Sequence, residues 1–182
     1  MKKAIIGAFV GAILVFGWQS IAHTVMHHHD AGYKTVPNQD SVIAGFTSIF
    51  KEEGQYFVPM MDLKATSEER EKWMKSMEGK PWAMVVYHSA MKGDMTMQMI
   101  RSFFTAFLCV LLLIGILGKF PGSFGNIFLK CLGAGFFTFM FVWYNQNIWM
   151  FTPWEVIQGE LIDSLVAWGL CGLWLGQFLK KK

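Results

Sequence analysis

The chain has 182 residues, of which 53% are apolar and only 16% charged, with 17 Phe, 8 Trp and a formal net charge of +3. Soluble domains carry roughly 25% charged residues. The deficit excludes a disordered chain, a disulfide-rich secreted scaffold and a basic nucleic-acid binder.

A hydrocarbon core about 30 Å thick is crossed by roughly 20 apolar residues rising about 1.5 Å each. Residues 4–26 form the first such run, interrupted only by Gln19, Ser20, His23 and Thr24 near its end. Lys2-Lys3 ahead of it and Ser20-Ile21-Ala22 within it resemble a signal peptide. The apolar stretch nevertheless continues past Ala22 to Met26, longer than a usual signal core, so residues 1–26 read as an uncleaved anchor.

Residues 27–100 are polar and mixed. Asp40 or Ser41 caps a predicted helix in which Val42, Ile43, Phe46, Ile49 and Phe50 recur at helical spacing, closing near Gly54. Residues 55–60 read as a short strand stopped by Pro59, and 82–88 as a second strand. Between them, Thr66-x-x-Glu69 is a capping-box signature for a charged helix that ends at Gly79 and Pro81. The product is a small α+β domain.

Residues 101–182 supply three further spans. The purest runs over 102–118, between Arg101 and Lys119. The next covers 127–144, with Lys130 near its start and Asn145-Gln146-Asn147 at its end. The last covers 156–179, introduced by Thr152 as N-cap, Pro153 at the first helical position and Glu155 three residues beyond the cap. The fold class is therefore an α-helical membrane protein, a four-helix transmembrane bundle with the α+β domain between spans one and two.

Four crossings place Lys2, Lys3, Lys119, Lys130 and Lys180 to Lys182 on one side, while all thirteen acids lie between Asp30 and Asp163. Lysine-rich short segments stay cytoplasmic. Both termini are accordingly expected in the cytoplasm and residues 27–100 outside the inner membrane. Eight basic and ten acidic side chains between 27 and 100 give that region no electrostatic case for anionic lipid.

Small residues let membrane helices approach closely. Gly7 and Gly11 in the first span, and Gly172 and Gly176 in the last, stand at GxxxG spacing. They suit packing within one bundle or a seam between two copies. Glu160 and Asp163 lie three apart on one helical face near the outer boundary, where an ionisable group needs water or a partner. Arg101 is the expected partner. The functional alternative is a proton or cation site, with Asn145, Gln146, Asn147 and His23 as polar lining and Asp163 as the pore residue of a small conducting oligomer.

The order Pro37-Asn38-Gln39-Asp40, Gly54-x-Tyr56-Phe57-x-Pro59 and Gly79-x-Pro81-Trp82, leading to Val86-Tyr87-His88, resembles an uncharacterised bacterial family of four-span inner-membrane proteins. The resemblance covers nearly the whole chain. It implies one amino-terminal span, a small outside domain and three more spans, and carries no activity or ligand residue with it.

Catalytic signatures are absent. His23 and His27 lack the Glu of a zinc-protease helix, and there is no phosphate loop, nucleophile elbow or cysteine pair at metal spacing. Cys109, Cys131 and Cys171 fall within spans and read as packing residues. All five His lie outside or at the outer edge, and nine of the thirteen Met fall between Met60 and Met99. Imidazole with thioether suits Cu(I), so His23, His27, His88, Met91 and Met95 are the candidate copper ligands. The sequence reads first as a non-catalytic accessory or scaffold subunit that meets a membrane-protein partner or a second copy. Copper handling is the alternative and ion conduction the third reading.

Overall fold

Residues 1–118 and 122–180 are described by the structure, a computed structural model. The expectations that rest on Lys119, Lys181 and Lys182 lie outside those residues. The chain divides into two units, residues 1–35 with 94–182, and residues 36–93.

The first unit is helical. Helix α1 spans Lys2–Thr24 and leads through a short 3-10 turn, Asp30–Gly32. Four further helices of this unit follow the second unit's α2 (Gln39–Ile49) and α3 (Ser67–Met77) in the chain. These are α4 (Thr96–Gly118), α5 (Phe124–Thr138), α6 (Asn145–Met150) and α7 (Trp154–Leu179). A π-helical stretch, Phe139–Tyr144, joins α5 to α6 without a break, so the third crossing covers Phe124–Met150. Among the described residues, four helical segments are thus long and apolar enough to cross a membrane. At 23 residues, α1 and α4 each reach about 35 Å.

Small residues decide how these helices meet. α1 packs between α4 and α7, and α7 between α1 and α5. A Cβ on Gly11 would stand 2.8 Å from Val110 and 3.2 Å from the Cys171 sulfur, and one on Gly7 would stand 3.1 Å from both Ile114 and Phe178. Gly172 and Gly176 face α5, where added Cβ atoms would meet Cys131 at 2.9 Å and Phe128 O at 3.2 Å, and Phe124 at 2.7 Å. All four glycines are therefore spent on packing inside the chain. The Trp174 indole N–H also donates to Gly7 O at 3.0 Å. The core comprises Ala8, Ala12, Val110, Ile127, Cys131, Cys171 and Leu175, while Phe9, Ile13, Leu112, Ile116, Phe137 and Phe141 face outward, as lipid contact requires.

These contacts fix an alternating sense. The start of α1 meets the end of α7 (Gly7 with Phe178) and its end meets the start of α7 (Trp18 with Asp163). α1 and α4, and α5 and α7, run antiparallel by the same logic. Lys2, Lys3 and Lys180 therefore share one end of the bundle, and residues 25–33 lie at the other.

In the second unit, α2 spans Gln39–Ile49, β1 Gly54–Val58, α3 Ser67–Met77 and β2 Ala83–Tyr87. The strands pair antiparallel, with Tyr56 opposite Val85 and Phe57 opposite Met84. The capping box forms as spaced: Thr66 Oγ1 accepts from the Glu69 N–H and Glu69 accepts from the Thr66 N–H. Gly79 ends that helix at φ +76°, a conformation costly for other residues. Phe50 is the one buried residue of the unit, stacked on Tyr56 at 4.2 Å and flanked by Phe46 and Tyr87.

Several boundaries differ from expectation. α2 starts two to three residues early, after Asn38 in the left-handed region, so neither Asp40 nor Ser41 caps it. α4 begins at Thr96 rather than 102, which puts Arg101 inside the helix. The last helix starts after Pro153 with no side-chain cap, so Pro153 rather than Thr152 holds the cap position, and the Thr152 N–H bonds Gln146 O. Asn145, Gln146 and Asn147 continue the third crossing instead of ending it.

Candidate functional site

The α1 helix stops at Thr24, and His27 turns the chain at φ 52°. This break destroys the helical relation that would have put His23 and His27 on one face. It sends His28, His29 and the following 3-10 turn back across the start of α7. Two glycines allow the approach. A Cβ on Gly159 would lie 2.7 Å from Nδ1 and 2.9 Å from Cε1 of His29, and one on Gly32 would lie 3.0 Å from Val156. Residues 27–33 thus form a strap laid on α7.

Asp163 is the centre of what the strap encloses. It is the one buried charged side chain among the described residues, 6% exposed. Counting about 26 Å back from Lys180 at 1.5 Å per residue places it near the far boundary of a 30 Å core. A carboxylate at that depth needs donors. Its two oxygens are served differently. Oδ1 accepts from the Trp18 indole N–H at 3.0 Å and from His28 Nε2 at 2.9 Å. Oδ2 accepts from His29 Nε2 at 3.0 Å and has His23 Nε2 at 3.9 Å. Because an ionised carboxylate only accepts, the ring nitrogens within bonding distance of it are the protonated ones.

The three imidazoles pack together, His23 stacked on His29 and His28 tilted against it. His23 lies on His29 at 4.3 Å between ring centroids and His28 on His29 at 4.4 Å. His28 and His29 side chains are 16% and 11% exposed, whereas His23 is 55% exposed and forms the outer lip. Glu160 Oε1 faces His29 Nδ1 at 4.0 Å. His28 Nδ1 is buried and has no hydrogen-bond partner among the described residues.

The other expected site residues have different partners. Arg101 is exposed, and its place beside the acids is taken by the imidazoles. The strap delivers N–H donors straight to Asp163, so no arginine is needed there. His27 bonds Asp30 at 2.9 Å on the surface. His88 belongs to the second unit, where its Nδ1 lies 3.5 Å from Glu53 and Ser89 donates to the same carboxylate at 2.6 Å. Ser89, helped by His88, holds the Glu53 carboxyl below its ordinary range. Met91 is fully exposed, and Met95 is 63% exposed. The structure therefore brings His23 to Asp163, while His27 pairs with Asp30 on the surface and His88 and Met91 belong to the other unit. Asn145 and Asn147 donate to Phe141 O and Thr152 O, closing their own turn rather than lining a path.

Trp18, His28 and His29 are the participants that sequence reasoning missed. Trp18 reads as an interfacial anchor, and its N–H partner lies 145 residues away. Compared with family models, curated proteins and solved structures, the chain finds no match in any of the three.

Proposed function

We propose that this is a multi-pass protein of a bacterial cytoplasmic membrane, of the four-span kind its turn motifs resemble, acting as a non-catalytic accessory subunit. Its helical unit anchors it, and residues 36–93 dock on the extracytoplasmic surface of a partner membrane protein. The bundle geometry supports the sidedness, since Lys2, Lys3 and Lys180 share one end and the polar cluster the other.

The observation that carries the reading is the makeup of the second unit. Fifty-eight residues with one buried side chain are far below what a small domain needs to hold itself together. A two-stranded sheet is marginal on its own. The strand register puts Phe57, Met84 and Val86 on the sheet face away from Phe50, and they are 37%, 41% and 62% exposed. Ile49 and Leu63 add further exposed apolar surface, at 69% and 72%. Apolar surface of this kind marks an interface, and the near-neutral charge of the region favours protein over anionic lipid.

The test is affinity purification of the full-length protein from a detergent extract of its native membrane. A defined partner is expected with the wild type and lost with Val86→Glu, a change at an exposed position on the sheet face away from Phe50, with circular dichroism of the variant checking that it folds. Purification of the chain alone, or a partner held equally by Val86→Glu, would refute docking through this face.

A further inference from the structure

We propose that His23, His29 and Asp163 form a binding site for one borderline divalent transition-metal ion, zinc(II) being the type case, at the non-lysine end of the bundle. One ligand atom from each of the three lies within 4.8 Å of the other two. In a tetrahedral site with bonds near 2.1 Å, ligand atoms stand about 3.4 Å apart. The distances from Asp163 Oδ2, 3.0 Å to His29 and 3.9 Å to His23, bracket that value. Binding requires the half-exposed His23 ring to turn out of its stack on His29 so that its Nε2 points at the ion, and the proton now on His29 Nε2 leaves as the metal takes its place.

The division of labour at Asp163 is what separates this arrangement from a simple ion pair. Oδ1 is held by two N–H donors, Trp18 and His28, so the carboxylate is fixed while Oδ2 alone faces the two ligand imidazoles. Glu160 stands behind His29 on its other ring nitrogen. Carboxylates behind ligating imidazoles, and hydrogen bonds on ligating carboxylates, are the outer partners that orient metal ligands. The lip formed by His23 gives an ion access, and a fourth position is left for water.

The donor set names the metal class. Two imidazoles and a carboxylate suit zinc(II) and other borderline divalent ions. No sulfur belongs to the cluster, so the copper(I) reading, which needs thioethers, does not transfer to it. Magnesium and calcium demand oxygen cages and are excluded by the same chemistry.

The experiment is equilibrium binding of zinc(II) alone to the full-length, chelator-stripped protein in detergent, with bound metal counted by elemental analysis. About one ion per chain is expected, together with a zinc-dependent rise in melting temperature. Asp163→Asn removes the site, but its loss of donors' acceptor also weakens the fold. His23→Ala is therefore the decisive variant, because its exposed ring bears little packing. It should melt like the wild type without metal and bind zinc(II) at least about tenfold more weakly. His29→Gln should also bind zinc(II) more weakly, but from a lower metal-free melting temperature because its ring bonds Asp163, and His88→Ala should bind as the wild type does. No bound zinc(II), binding untouched by His23→Ala and His29→Gln, or preferential copper(I) uptake lost on replacing Met91 and Met95 would each overturn the proposal.

Discussion

Replacing Gly159 with Ala tests the strap without touching a polar group. In an open helix position this change gains up to about 1 kcal/mol. Here the new methyl carbon would stand 2.7 Å from His29 Nδ1 and 2.9 Å from Cε1, so the ring must retreat by about 0.7 Å to reach ordinary contact. The same ring carries the Nε2–H that bonds Asp163 at 3.0 Å. Overpacking costs about 1–3 kcal/mol, and a hydrogen bond to a charged group contributes about 1.5–3 kcal/mol. A net loss of about 1–3 kcal/mol follows, or roughly 3–10 °C in melting temperature for a chain of this size. The control is Gly115→Ala on α4, where an added Cβ meets nothing within 4 Å. Thermal unfolding of both proteins in one detergent gives the comparison. If Gly159→Ala melts at or above Gly115→Ala, the strap does not rest on α7 as described.

Asp163→Ala removes the acceptor of Trp18, His28 and His29 and should cost about 3 kcal/mol or more in the same melt, whereas Glu160→Ala, on a more exposed carboxylate, should cost clearly less. Gly135→Ala forces a methyl to within 2.6 Å of the Ser164 carbonyl on α7, so it should lower the melting temperature by several degrees without changing the oligomeric state seen by light scattering. In the second unit, the folded-state pKa of Glu53 lies below its ordinary value, because Ser89 donates to the ionised form. The resulting stabilisation is present above the ordinary Glu range and is lost as pH falls through the lowered value. Protection against hydrogen exchange at residues 53–58 and 83–89, corrected for the intrinsic rate, should fall as pH drops through and below the ordinary Glu range in the wild type, and Glu53→Gln should remove that acid-side change.

The spans were legible because apolar runs of membrane length dominate the sequence, and Gly7, Gly11, Gly172 and Gly176 were legible as packing faces. Their spacing could not say whether the faces meet within one chain or between two. Contacts to Val110, Phe178, Cys131 and Phe124 assign them to this chain. The capping box at Thr66 and Glu69 and both strands could be read locally, because such signals span only a few residues. The cluster was only half visible. Glu160 and Asp163 stood out as acids in an apolar helix, and His23 as a polar residue at the end of another. The link between them depends on a left-handed turn at His27, a conformation that no local pattern announces. It also depends on Gly159, which the sequence offers as one glycine among eighteen. Arg101 was the expected partner by charge and depth alone, but α4 begins earlier than the apolar run suggests and leaves it exposed.

The most direct test of this architecture is a double-mutant cycle between His29 and Asp163, read by thermal unfolding of the full-length protein. Residues in one hydrogen-bonded network show coupling of about 0.5–3 kcal/mol. With a 3.0 Å bond between two side chains each less than an eighth exposed, His29→Gln and Asp163→Asn should together cost at least about 1 kcal/mol less than the two single changes combined. Strict additivity would show that the two groups do not meet, and the enclosed carboxylate would lose its place at the centre of the account.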